Sequence, residues 1–107
     1  MVRFVVTIKL KPDAMELMPK AGIDMPAIWK GLSEIDTPGK LDFHAGFDTK
    51  QHYPNNWSYA VVIDFTDFEA FDTWFEHPDH RRLGKPCEPF IEETSRVVFP
   101  MGDQATR

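Results

Sequence analysis

Hydrophobic and polar positions alternate from the first residues of the chain, and the period of the alternation changes several times before the end. Phe4, Val6, Ile8 and Leu10 share one parity while Arg3, Val5, Thr7 and Lys9 share the other, the pattern of a strand with one wholly apolar side. Lys11-Pro12 closes it, and Asp13 followed by Glu16 has the spacing of a capping box that opens a short helix. Pro19 and Gly22 interrupt. Asp24 then caps a second helical start, with Pro26 in the first turn, where a missing N–H costs nothing. Ile28, Trp29, Leu32 and Ile35 follow at helical spacing, with Trp29 read as core, until Pro38-Gly39 ends the element. A second strand is expected over residues 40–47, with Gly46 marking a bulge or a close backbone approach, and residues 48–56 form a polar loop. Trp57, Tyr59, Val61, Ile63 and Phe65 give the clearest strand, and Ala60 and Val62 make its opposite face partly apolar. Thr66 with Glu69 forms a second capping box ahead of a helix whose face carries Phe68, Phe71, Trp74 and Phe75. Gly84, Pro86 and Pro89 break the helical segment that follows, and Ser95 to Phe99 returns to strand.

This order predicts an α+β chain: a ferredoxin-like four-stranded antiparallel sheet with helices on one face. Residues 1–99 form a single domain and residues 100–107 a polar C-terminal tail. Strands apolar in both parities leave the second face of the sheet without cover. At ~25 cal/mol per Å² of apolar surface, exposing several hundred Å² forfeits many kcal/mol, so a second copy packed sheet against sheet, a homodimer, is expected.

Composition narrows the partners. A net charge of −5 leaves no broad positive surface for nucleic acid, and Arg81, Arg82 and Lys85, the densest basic cluster, read as a solvated helix face. Cys87 is the only cysteine, which excludes an internal disulfide and fits a reducing compartment; beside Pro86 and Pro89 it reads as a small buried apolar residue. No window approaches the ~18 apolar residues of a membrane span and the start lacks a signal-like apolar run, so no membrane partner is expected and the cytoplasm is the expected location.

Candidate chemistry concentrates in Phe75-Glu76-His77-Pro78-Asp79-His80, where two imidazoles lie three residues apart across a proline. The phrase lacks the His-Glu-x-x-His pattern and the proline disturbs helical facing, so no metal site is predicted. Asp64, Asp67, Glu69 and Asp72 straddle a helix start, where negative charge is favourable without any catalytic reason.

The chain resembles the stress-responsive dimeric α/β-barrel family. The resemblance runs from Val2 to Phe99 and rests on Val5-Val6-Thr7-Ile8-Lys9-Leu10-Lys11, Gly46, Ala60-Val61-Val62-Ile63-Asp64-Phe65, the phrase His77-Pro78-Asp79-His80, and the closing Val97-Val98-Phe99. It implies a homodimer that forms an α/β barrel around a small apolar or aromatic molecule, and no metal or organic cofactor. The best understood members of that family are plant enzymes, a polyketide cyclase and a hydroxynitrile lyase. The cyclase's catalytic histidine corresponds to His80. Its helix tyrosine corresponds to Trp74, its first-strand histidine to Phe4 and its third-strand histidine to Tyr59, so this chain departs from the cyclase at three of four polar positions.

On this reading His80 abstracts or relays a proton and Tyr59 polarises a substrate oxygen, as the two catalytic residues. Phe4 and Trp74 supply walls for a ring, with His44 and His77 as further substrate-binding residues. Each has an ordinary alternative: His80 and His77 can fasten the helix turn, Tyr59, Trp74 and Phe4 can be core, and His44 can face solvent. The expected function is a cofactor-free lyase, cyclase or isomerase acting on a small aromatic or polyketide-like compound. The alternatives are a non-catalytic dimeric stress or small-ligand-binding protein and a cofactor-free monooxygenase.

Overall fold

The computed structural model describes residues 1–102. Strand β1 (Val2–Leu10) forms one spine of the sheet, and its even-numbered side chains are all buried while the odd ones are not, as the alternation requires. It pairs antiparallel with β3 (Tyr59–Phe65) on one side and β4 (Ile91–Pro100) on the other, and β2 (Lys40–Phe47) adds to the far edge of β3. Helices α1 (Ala14–Lys20), α2 (Met25–Ser33), α3 (Phe68–Glu76) and α4 (Pro78–Gly84) and a 3₁₀ segment (Lys85–Phe90) make the connections. Strand order is β2-β3-β1-β4, the ferredoxin-like arrangement with helices against one face.

The expected barrel does not form. The edge strands β2 and β4 lie at opposite ends of the order and do not pair, so the sheet is open. Closing a barrel demands enough strands, tilted and staggered, to bring the two edges into hydrogen-bonding range, and four strands leave them apart.

The core fills the space under the helices. Val2, Phe4, Val6 and Ile8 lie across from Phe65, Ile63, Val61 and Tyr59 on the neighbouring strand. Onto this floor α3 lowers Trp74, whose ring centroid sits 5.7 Å from Phe4 and 5.5 Å from Phe65. The indole N–H donates to the Leu32 carbonyl at 2.8 Å, so the largest core side chain also ties α3 to α2. On the other face Val5, Val62, Val97 and Phe99 point away from the helices, and Val97 is 52% exposed. Arg3 and Asp64, directly paired across β1 and β3, form a two-pronged ion pair there at 2.8 and 3.0 Å. The hydrogen bonds from Arg3 hold the Asp64 carboxyl below its ordinary value.

Local details depart from the sequence expectations at several points. Asp13 makes no capping hydrogen bond; α1 is held instead by buried Ala14 and Met18. Asp24 caps α2 as expected, accepting from the Ala27 N–H at 3.2 Å. Asp67, not Thr66, caps α3 by accepting from the Ala70 N–H at 2.8 Å, because Thr66 is still held to the sheet by its N–H on the Gly39 carbonyl at 2.8 Å. Gly46 opens onto free space; the bulge in β2 falls between Lys40 and Phe43. Strand β3 begins at Tyr59 rather than Trp57, and β4 begins at Ile91, earlier than the Ser95 expected. Lys9 recruits that extra length, since it lies across from Glu93 and bonds Glu92 at 3.1 Å. Of the expected tail, Pro100 belongs to β4, and the Met101 N–H donates to the Met1 carbonyl at 2.8 Å. Residues 103–107 lie outside the described residues. Among the described residues no helix is long and apolar enough to cross a membrane.

Candidate functional site

The His-Pro phrase is a helix stop and a helix start in three residues. A residue before proline is driven out of the helical region by the proline ring, and His77 accordingly adopts φ −60°, ψ 135°. Pro78 then opens α4, where its missing N–H goes unnoticed. The His77 side chain caps the new helix, its Nδ1 accepting from the Asp79 N–H at 3.0 Å. Its cap is thus at a helix beginning, where an acceptor is wanted, and Nδ1 supplies it.

This corner places His80 in the first turn of α4, against the aromatic end of α3. The imidazole stands perpendicular to Trp74 with ring centroids 4.6 Å apart, and its centroid is 4.9 Å from that of Phe75. Its Nε2 is enclosed and has no hydrogen-bond partner among the described residues. Burial, reinforced by the positive charge of Arg96, lowers the His80 pKa below its ordinary 6.5, so the ring is neutral at neutral pH.

His80 opens on a cavity of about 510 Å³ between the β1–β4 half of the sheet and the α4–3₁₀ segment. Phe4, Val6 and Ile8 form its floor, Trp29 and Leu32 one wall, and His77, His80, Arg81, Cys87, Thr94 and Arg96 are among the residues closing the rest. That volume lies within the roughly 300–1,000 Å³ usual for small-molecule sites, and an apolar floor with a few polar groups at its margin is their usual composition.

The structure brings together Phe4, His77 and His80 from the sequence-predicted set. Trp74 stands behind them, fully buried and in contact with both Phe4 and His80, as support rather than lining. Tyr59 is set apart. It is buried beside Phe47, with ring centroids 4.7 Å apart, and lines a second cavity of about 570 Å³ with Asp48, Asn56 and Trp57. Burial, with help from the negative charge of Asp24, raises its phenol above the ordinary value, so it keeps its proton. His44 lies on β2 across from Val62, exposed on the face the helices leave bare.

Among the lining residues without a site assignment from sequence, Trp29, Cys87 and Arg96 carry polar or reactive groups. Trp29 is core, as its helical spacing implied, but it also faces the cavity, and its indole Nε1 is enclosed without a partner among the described residues. Cys87 is buried, its thiol bonded to the Gly84 carbonyl at 3.0 Å and pushed up in pKa by burial, which makes it a lining group and not a nucleophile. Arg96 was legible in principle: it shares the parity of Thr94 and Val98, which face the helices, and a cation on that side of a strand is unusual.

Comparison with solved structures finds the same fold in several settings. A dimeric ferredoxin-like protein of unknown function from Thermobifida fusca YX superposes with a TM-score of 0.68 at 23% identity, covering 94% of this chain and 90% of that one. A hydroxynitrile lyase from Passiflora edulis gives 0.72 at 17% identity, over 95% and 94% of the two chains. A cofactor-independent oxygenase from Streptomyces nogalater gives 0.67 at 13% identity, over 99% and 97%. At these identities the likeness is one of fold. None of the functionally curated proteins matches the chain. The family described as the stress responsive A/B barrel domain matches residues 2–101, nearly the whole sequence, and the chain belongs to that family.

Proposed function

We propose that this protein is a cofactor-independent enzyme in which His80 removes a proton from a small, ring-bearing substrate, and that the resulting carbanion reacts with dioxygen. The observation that carries the proposal is the imidazole itself: neutral, braced by Trp74 and Phe75, with no hydrogen bond to Nε2 among the described residues, at the margin of an apolar cavity large enough for a ring system. Enclosure of Nε2 leaves Nδ1 as the nitrogen that exchanges a proton with a ligand. An activated methylene gives its proton to Nδ1, the carbanion adds dioxygen, the proton returns to the peroxide, and loss of water leaves a ketone. The substrate supplies every electron, so CH₂ and O₂ become C=O and H₂O. The Streptomyces nogalater structure, described as a cofactor-independent oxygenase, supports this choice.

The test is oxygen uptake with a panel of enolisable aromatic ketones and phenols, in the native protein and in His80→Ala. General-base catalysis contributes typically 10²–10⁴-fold, so the substitution should lower turnover by about that factor while leaving the fold intact. Unchanged turnover in the folded variant defeats the proposal. Product formed at the same rate under argon favours a second reading, a lyase sharing the same proton abstraction, which the Passiflora edulis structure supports.

Tyr59, in its own cavity, is outside this mechanism. We further propose that two copies pair through the bare sheet face, where Val5, Val62, Val97 and Phe99 form an apolar strip flanked by His44 and the Arg3–Asp64 pair. The Thermobifida fusca relative, described as dimeric, supports this pairing.

A further inference from the structure

The cavity margin carries an exposed arginine that meets no carboxylate among the described residues. Arg96 projects from β4 on the helix-facing side, beside Val6 of β1, and lines the cavity together with His80. Glu76 and Glu88 also line it, as does Arg81, yet neither arginine lies within ion-pairing distance of a carboxylate there. Arg82, by contrast, does find one, bonding Asp79 at 3.1 Å. On the wall formed by α2, the indole N–H of Trp29, which is 8% exposed, has no acceptor among the described residues. A guanidinium is permanently charged and presents a planar fork of donors that matches a carboxylate. Two guanidinium groups and an enclosed indole N–H without an acceptor among the described residues thus border a floor made of Phe4, Val6 and Ile8, alongside Glu76 and Glu88.

From this juxtaposition we infer that the ligand of the cavity is an aromatic carboxylate, its ring on the Phe4–Val6–Ile8 floor and its carboxylate on Arg96. The inference rests on the reading that this cavity is the ligand site, and it adds a specificity-determining residue and a substrate class. Anchoring the acid group on β4 leaves the ring carbons to face α4, where His80 stands.

The probes are 2-naphthoate and its neutral counterpart 2-naphthamide, titrated by calorimetry into the native protein, Arg96→Gln and Arg96→Lys at pH 8, where His80 is neutral. The native protein should prefer the carboxylate by about tenfold or more, as hydrogen bonds to charged groups imply, and the preference should shrink with added salt. Arg96→Gln should erase the preference without weakening the amide, and Arg96→Lys should restore part of it. Equal affinity for the two probes, no binding of either at millimolar concentration, or a preference that survives Arg96→Gln overturns the inference. If Arg96→Gln does not fold, the native comparison and its salt dependence decide alone. Turnover in His80→Ala reports on the base and probe preference reports on Arg96, so either reading can fail without the other.

Discussion

A single imidazole sets the pH behaviour of this site. His80 is kept neutral chiefly by burial and secondarily by Arg96, so its folded-state pKa lies below the 6.5 of a free imidazole. The sign follows from proton counting. Below pH 6.5 the unfolded chain takes up a proton before the folded one does, so stability from the neutral buried ring is complete above that value and is lost as pH falls through the lowered folded value. As the proposed base, His80 is active only when neutral. The acid limb of kcat/KM should therefore fall below pH 6.5, and Arg96→Gln should move it upward by removing one cause of the depression. A pH–rate profile with its limb above that of a free imidazole, or one unmoved in the variant, contradicts the assignment. At the same scale His77 shows how differently two neighbouring histidines are used: one closes a helix turn, the other faces the cavity.

At the scale of elements, the join between α2 and β2 is the tightest constraint. Gly39 has φ +87°, and a Cβ there would lie 2.6 Å from both the Ala70 Cβ and the Thr66 Oγ1. Gly39→Ala combines a left-handed backbone with a clash against the start of α3, and should destabilise the fold by about 1–3 kcal/mol in urea denaturation. Next to it, the Lys40 ammonium bonds the carbonyls of Ile35 and Thr37, fastening the chain after α2 to the first residue of β2. Elements of this kind were readable in outline. Period-two alternation located β1 and most of β3, and Pro38-Gly39 marked a stop, because side-chain parity and backbone permissiveness are local properties. The choice of Asp67 over Thr66 was not readable, since it depends on Thr66 pairing with Gly39, a contact between distant parts of the chain. The site divides in the same way. His80 and Phe4, named from the family resemblance, line one cavity, whereas the separation of Tyr59 and His44 from them reflects which end and which face of the sheet each occupies. Arg96 lay within the strand expected from sequence, but its place beside Val6 on the helix-facing side depends on the pairing of β4 with β1.

The whole molecule has one covered face and one bare face. Packing two bare faces together would remove Val97 and Phe99 from water, and the protein should run by light scattering at micromolar concentration with twice the 12.4 kDa mass of one chain. Val97→Lys, placing a charge in the middle of the strip, should shift it toward the single-chain mass while leaving the His80 cavity on the opposite side unaltered. A solitary species at that concentration removes the pairing. Because Arg3 and Asp64 satisfy each other within one chain, they need no counter-charge from the second copy.

The open sheet has a consequence for how the protein survives in a crowded solution. Its rims, β2 and β4, carry backbone amides that could template fibril growth by capturing a strand from another molecule. On β4 the charges of Glu92, Glu93 and Arg96 and the terminal Pro100 make such capture unfavourable, while the kink between Lys40 and Phe43 spoils the straightness of β2. The arginine assigned to ligand recognition thus stands on a rim that must also refuse strangers, and swapping it for a β-branched apolar residue would weaken both duties at once.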